Sequence, residues 1–85
     1  MNVAILGLGR FGSQLAEELV AIGVEVLAVD RDDARVNELS ETATLAAAGD
    51  LSDFEFLQSL ALGDYDSVVV AIGSEVATSV LLTLT

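Results

Sequence analysis

The residues best suited to chemistry are three glycines near the start of the sequence, Gly7, Gly9 and Gly12, in the hexapeptide GLGRFG. The spacing G-x-G-x-x-G is typical of loops that bind nucleotide phosphates between a strand and a helix. Gly7 would permit a tight turn, Gly9 would let the backbone approach a pyrophosphate, and Gly12 would let the helix pack close to the strand. The amino end of that helix would add unpaired N–H groups and the positive end of its dipole. By itself the hexapeptide is a weak sign, because a turn that binds nothing can have the same spacing.

An acidic residue supplies the second part of this pattern. Asp30 ends the segment VEVLAVD, 18 residues after Gly12, where nucleotide-binding folds place a carboxylate that binds the ribose. Its two oxygens can accept hydrogen bonds from both ribose hydroxyls. The same charge would repel a 2′-phosphate, which favours NAD or an unphosphorylated adenosine ribose over NADP. The glycine loop and Asp30, at this spacing, together predict an adenine nucleotide as ligand.

Two arginines lie beside these elements. Arg10 is inside the glycine loop, between Leu8 and Phe11, and is well placed to reach a phosphate; the alternative is a solvated arginine. Arg31 directly follows Asp30. It either stacks on the adenine or forms a surface salt bridge with one of the next two aspartates. Leu8, Arg10, Phe11 and Arg31 are all predicted binding residues, as are the three glycines of the loop.

Four further candidates close the third and fourth predicted strands. Asp50 and Leu51 follow TLAAAG and are expected near the adenine edge, with a simple helix entry as the alternative. Ala71 and Gly73 end VVVAIG, where small residues keep a ligand crevice open. Together with the glycine loop, they predict a binding crevice at one edge of a sheet.

Apolar periodicity and glycine positions divide the chain into alternating strands and helices. Strands are predicted over 2–7, 24–30, 44–50 and 65–73, and helices over 13–22, 32–40, 52–62 and 74–85. In the third helix, Ser52 is the expected N-cap, with Glu55 at capping-box spacing. The β-α alternation predicts one α/β domain over 1–85, with a parallel sheet, right-handed crossovers and helices on both faces.

The composition excludes several classes of function. The chain contains no His or Cys and only three Lys or Arg against 14 Asp or Glu, for a net charge of −11. Without His, Cys or Lys, the usual nucleophile–base pairs, sulfur-ligated metal sites and Schiff bases are excluded, so we expect a binding protein and not an enzyme. The acidity disfavours nucleic-acid binding and anionic membrane surfaces. No signal peptide or membrane-spanning run is visible, which predicts a soluble cytoplasmic protein without membrane insertion.

Several segments together resemble the N-terminal Rossmann subdomain of RCK/KTN domains, the cytosolic modules of bacterial potassium channels and Trk/Ktr-type potassium-uptake systems. The resemblance rests on GLGRFG, the D-R-D after strand two, the G-D after strand three and VVVAIG, and it covers essentially the whole chain. It implies a three-layer, half-Rossmann fold with strand order 3-2-1-4. It also implies NAD(H), ATP or ADP as ligand, with phosphates at the glycine loop and Arg10, ribose at Asp30 and adenine near Asp50. Family members form rings that gate a membrane subunit.

Full domains of this family continue beyond the fourth helix with further strands. The edge of strand four would then be uncovered here, and an uncovered edge favours pairing with a second copy. We therefore expect a homodimer or higher oligomer. Two alternatives remain open: the cofactor-binding half of an NAD-dependent dehydrogenase, and a designed chain of reduced residue alphabet without a biological role.

Overall fold

The computed structural model describes residues 1–72 and 80–84. Five strands alternate with three helices and one short 3₁₀ turn over most of this length. In chain order they are β1 (Asn2–Leu6), α1 (Arg10–Ala21), β2 (Glu25–Asp30), α2 (Asp33–Leu39), β3 (Leu45–Ala48), α3 (Phe54–Ser59), the 3₁₀ turn (Leu62–Asp64), β4 (Ser67–Ile72) and β5 (Val80–Leu84).

The strands form one sheet in the order β3-β2-β1-β4-β5. β1 to β4 run parallel, with Val3 opposite Val26 of β2 on one side and Ser67 of β4 on the other. The predicted α/β class and the strand order 3-2-1-4 are confirmed. Because β1 lies at the centre, the chain moves outward through β2 and β3 and then crosses back to β4. This reversal produces a switch point between β1 and β4, where open α/β sheets bind ligands.

The predicted fourth helix over 74–85 is wrong where the structure describes it. Val80–Leu84 is a strand, β5, which pairs antiparallel with β4 from Val68↔Leu84 to Ile72↔Val80; residues 73–79 lie outside the described part. The outer edge of β4 presents N–H and C=O groups that need partners, and the segment VLLTL supplies a strand to satisfy them. The edge expected to attract a second copy is therefore paired within the chain.

Two apolar layers cover the two faces of the sheet. Alternate residues of β1 separate the layers: Val3 and Ile5 pack with α1 and α2, whereas Ala4 and Leu6 pack with α3 and the segment after it. The period of two in a strand produces this division. Since parallel strands are buried on both faces, their sequences are continuous apolar runs, as in NVAIL and SVVVAI. The helices thus lie on both faces, as the three-layer prediction required.

Several helix boundaries in the structure differ from the predicted ones. α1 begins at Arg10, not at 13, so the end of the glycine loop forms the first helical turn. The N-cap of α3 is Asp53, whose carboxylate accepts from the N–H of Glu55 at 3.0 Å, so the predicted N-cap at Ser52 is wrong. α3 ends at Ser59 and not at 62, because Ala61 adopts a left-handed conformation with φ of 52°. Among the described residues no helix is long and apolar enough to cross a membrane.

At Gly12, α1 lies close against the backbone that follows β1. A Cβ atom on this residue would overlap the carbonyl oxygen of Gly7 and would also contact the Ala71 methyl group. Only a residue without a side chain therefore allows α1 to lie this close to the end of β1. This contact fixes the amino end of α1 over the switch point.

We expect Gly12→Ala to lower the free energy of unfolding by about 3 kcal/mol, because the added methyl group displaces α1 from backbone that cannot yield. Gly63→Ala is the matched control, since no atom lies within 4 Å of a Cβ at Gly63. It should change stability by less than about 1 kcal/mol. Urea unfolding of the three proteins measures both values. Equal losses in the two variants would contradict the close contact.

Candidate functional site

A cleft of about 530 Å³ opens at the carboxyl ends of the parallel strands. The glycine loop forms one wall, the segment after β2 a second and the turn after β3 a third, with β4 at the base. Its lining residues are Gly7, Gly9, Arg10, Asp30, Arg31, Arg35, Asp50, Leu51, Ser52 and Ala71. Eight of these ten are residues that the sequence predicts as binding residues. The cleft lies at the switch point between β1 and β4.

The glycine loop and the first turn of α1 carry backbone N–H groups that have no partner among the described residues. Gly7 has a φ of 106°, a left-handed value that glycine adopts without strain. Gly9 is the N-cap of α1 in an extended conformation, with no side-chain cap. The first N–H groups of a helix have no partner within it. Among the described residues, no acceptor within hydrogen-bond distance satisfies those of Arg10, Phe11 and Gly12. The loop and the helix dipole can therefore bind a phosphate.

Leu8 anchors this loop to the protein. Its side chain is 2% exposed and belongs to the core on the α1 side of the sheet. Its N–H donates to Asp30 Oδ2 at 2.6 Å, and its carbonyl accepts from Ser13 Oγ at 2.7 Å. Since both backbone groups have partners within the chain, Leu8 holds the loop in place and does not line the cleft.

Asp30 occupies the end of β2 with its carboxylate almost entirely buried. The residue is 6% exposed, and both of its oxygens accept from backbone: Oδ2 from Leu8, and Oδ1 from the N–H of Asp32 at 2.9 Å. Arg35 Nη1 lies 3.8 Å from Oδ2. A carboxylate has about four acceptor positions, and the two backbone hydrogen bonds use one on each oxygen.

All three arginines of the chain line this cleft. Arg10 projects from the start of α1, whereas Arg31 and Arg35 come from the β2–α2 segment. Sequence reasoning missed Arg35. Its Nε lies 3.9 Å from Asp32, one helical turn earlier, and its guanidinium also approaches Asp30. Only its position five residues after Asp30 in an arginine-poor chain could have indicated it. In the described residues both ion pairs belong to Arg35 and none to Arg31.

The turn after β3 forms the third wall. Asp50 Oδ1 accepts from the N–H of Ser52 at 2.9 Å and from its hydroxyl at 2.7 Å. These hydrogen bonds, with a smaller contribution from the positive charge of Arg31, lower the pKa of Asp50 below its ordinary value of 3.8. The carboxylate is therefore ionised throughout the physiological range. Ser52 was predicted as a helix cap, and the structure places it instead in the wall of the cleft.

Three predicted residues are not part of the lining, and a fourth is not described by the structure. Leu8 is in the core, Gly12 is buried beneath the loop, and Phe11 is 43% exposed on α1 outside the cleft. Gly73 lies outside the described residues. Leu8 and Gly12 therefore shape the loop from behind, while Gly7, Gly9 and Arg10 face the cleft.

The donor set of the site favours an anion and not a metal ion. Across residues 1–72 and 80–84, no group of three or more Asp, Glu, His or Cys side chains is arranged to hold a metal. The cleft instead combines backbone N–H groups and guanidinium groups with the carboxylates of Asp30 and Asp50. N–H and guanidinium groups donate to phosphate, and carboxylates accept from hydroxyl or amino groups. This combination matches a phosphorylated ribose with a base attached.

Comparison with known proteins relates the chain to potassium-uptake proteins. A family model described as the TrkA-N domain matches residues 3–85. The chain is 44% identical over 81 residues to Ktr system potassium uptake protein C of Bacillus subtilis, and 42% identical over 81 residues to Ktr system potassium uptake protein A of Vibrio alginolyticus. Each alignment covers 95% of this chain and 37% of the relative. The chain thus spans little more than a third of these proteins.

We expect Ser52→Ala to raise the pKa of Asp50 toward its ordinary value, because the hydroxyl of Ser52 is the largest cause of the lowering. A lowered pKa means that the ionised carboxylate stabilises the turn at neutral pH, and that this contribution is lost as the pH falls through the lowered pKa. A ¹³C-carboxyl NMR titration measures the shift. Ser59→Ala, which removes a hydroxyl bonded to Phe56 and distant from the turn, is the control. A pKa unchanged in Ser52→Ala would contradict the hydrogen bond.

Proposed function

Because the chain belongs to the TrkA-N domain family, we propose that it is a nucleotide-binding regulatory domain of a potassium-transport system, with NAD(H), ATP or ADP as ligand. One observation carries the nucleotide proposal. The chain has 14 acidic residues and three arginines, and all three arginines line the cleft beside the unpaired N–H groups of α1. Such a distribution attracts an anion to this one place on an acidic molecule.

The proposed ligand lies across the switch point. Its phosphates bind over the glycine loop, where the N–H groups of α1 and the guanidinium of Arg10 donate. Its ribose hydroxyls donate to the acceptor positions of Asp30 that remain available. Its adenine lies toward the turn after β3, between Arg31 and the segment of Asp50 and Leu51. In this arrangement the positive groups of the cleft contact phosphate, and its carboxylates lie beside the hydroxyl and amino groups of the ligand.

The charge around the ribose favours NAD over NADP. Asp30 and Asp32 both lie at this end of the cleft, and the two ion pairs of Arg35 are directed to them. Arg35 therefore offsets carboxylates that are already present, and the charge of Arg31 also acts on the Asp50 carboxylate, whose pKa it helps to lower. The carboxylates of Asp30, Asp32 and Asp50 thus outnumber the two arginines at this end and disfavour a 2′-phosphate. NADP should bind more weakly than NAD for this reason.

The proposed role is regulation without catalysis. A ligand that binds one arrangement of the assembled protein more tightly shifts the population toward it, and the coupling between ligand and partner is reciprocal. We propose that the partner is a membrane subunit that conducts potassium, and that the domain acts on its cytoplasmic side. The Ktr relatives, which are named potassium uptake proteins, support this proposal.

We also propose that the protein forms a homo-oligomer. Its family resemblance supports this. The outer edge of β4, where the sequence predicted the contact with a second copy, is already paired with β5. The sheet still has backbone edges at β3 and β5, and an edge strand can pair with a second copy. Sedimentation equilibrium at tens of micromolar should give a multiple of the 8.8 kDa chain mass. A mass of one chain would reject the proposal.

Calorimetric titration with NADH, NAD, NADP, ATP, ADP and adenosine tests the nucleotide proposal. We expect ADP and ATP to bind, and Arg10→Gln to weaken both by about tenfold or more, since it removes a charge-assisted hydrogen bond to phosphate. Adenosine, which lacks phosphate, is the matched control and should bind the wild-type chain and Arg10→Gln equally.

Three outcomes would change the proposal. No heat with any nucleotide, from a chain shown by circular dichroism to be folded, would contradict nucleotide binding. Equal losses for adenosine and ADP would contradict the contact between Arg10 and phosphate. Binding of NADH without ATP or ADP would favour the cofactor-binding half of a dehydrogenase.

A further inference from the structure

The carboxylate of Asp30 joins two segments that are distant in sequence. Oδ2 accepts from the N–H of Leu8, 22 residues earlier, at the buried end of the glycine loop. Oδ1 accepts from the N–H of Asp32 at the entry to α2. One side chain therefore fixes the loop that faces the phosphates and the turn that carries Arg31. Binding of a ribose explains neither of these contacts.

The bond to Leu8 matters because it lies in a buried part of the molecule. Leu8 is 2% exposed and Asp30 is 6% exposed, so water cannot readily replace the carboxylate as acceptor. Without that acceptor, the loop must either bury an unsatisfied N–H or rotate to expose it. Rotation would move Gly9, the N-cap of α1, because the two residues are adjacent.

We infer that Asp30 is a positioning residue for the phosphate subsite, which holds the glycine loop in its anion-binding geometry through Leu8. The inference rests on the proposed function, since it concerns the phosphate end of the same cleft. It adds a role at a distance: Asp30 affects ligands that contain no ribose at all. Asp30 would thus couple the two ends of the cleft, because ribose hydroxyls and the loop N–H share one carboxylate.

Charge and positioning predict opposite results when Asp30 is neutralised. A negative charge in the cleft repels phosphate, so removal of that charge alone should strengthen the binding of a polyphosphate. Loss of the bond to Leu8 should weaken it, because the N–H groups of α1 no longer converge. The sign of the change therefore separates the two roles without reference to any ribose contact.

The experiment uses inorganic tripolyphosphate, which has the phosphates of ATP and no ribose or base. Its affinity is measured by calorimetry for the full chain and for Asp30→Ala, which leaves no acceptor for the Leu8 N–H, with Asp33→Ala as the matched control. Asp33 is an exposed carboxylate in the first turn of α2, so its removal deletes the same charge and leaves the bond to Leu8 intact. We expect about tenfold weaker binding in Asp30→Ala and unchanged or tighter binding in Asp33→Ala.

Hydrogen exchange of the Leu8 amide, measured by NMR on the same proteins without ligand, is the second readout. It should accelerate at least about tenfold in Asp30→Ala, and stay at the wild-type rate in Asp33→Ala. Tripolyphosphate binding in Asp30→Ala that equals or exceeds wild type would overturn the inference, as would an unchanged Leu8 amide. A wild-type chain that does not bind tripolyphosphate would instead contradict the proposed phosphate site, and the Leu8 amide would still decide whether Asp30 holds the loop.

Discussion

The contact between Gly12 and the carbonyl of Gly7 is the constraint on which the rest of the molecule depends. It brings α1 against the end of β1 more closely than any side chain would allow. With α1 in that position, its unpaired N–H groups open at the point where the sheet reverses direction. The cleft, its anion-binding wall and its access to β4 all follow from one close approach of backbone to backbone.

The distribution of charge then determines which ligands the cleft attracts. The protein is strongly acidic, and an acidic surface repels anions. The three arginines and the amino end of α1 reverse this locally, because they converge on one opening. Arg35 pairs with the carboxylates beside it, whereas Arg10 and Arg31 have no ion-pair partner among the described residues. The positive charge of Arg35 is thus offset within the protein, and that of Arg10 is available at the glycine-loop end of the cleft.

Much of the fold was predictable because strong local signals and the global fold agree. The apolar runs of β1, β2 and β4, the glycine loop and Asp30 each follow a rule of spacing, so the strand order and eight of the ten lining residues were predicted. The resemblance to RCK/KTN domains is confirmed by the family match. Arg35 and Ser52 were missed because their positions depend on how α2 and the turn after β3 fold back. β5 was missed because the unsatisfied edge of β4, and not local periodicity, determines its conformation.

The switch point also sets the order in which this protein can become functional. The pairing of β1 with β4 joins the first and the last of the parallel strands in chain order. The backbone N–H of Asn2 also donates to the carboxylate of Asp66, 64 residues away. Contacts of such large sequence separation form slowly, because the chain must close a long loop before any pairing energy is gained. The β1–β2 unit with α1 can assemble early. Its glycine loop then faces solvent, because β4, which forms the base of the cleft, is not yet in place. During synthesis, therefore, the binding site is complete only after β4 has emerged and paired with β1.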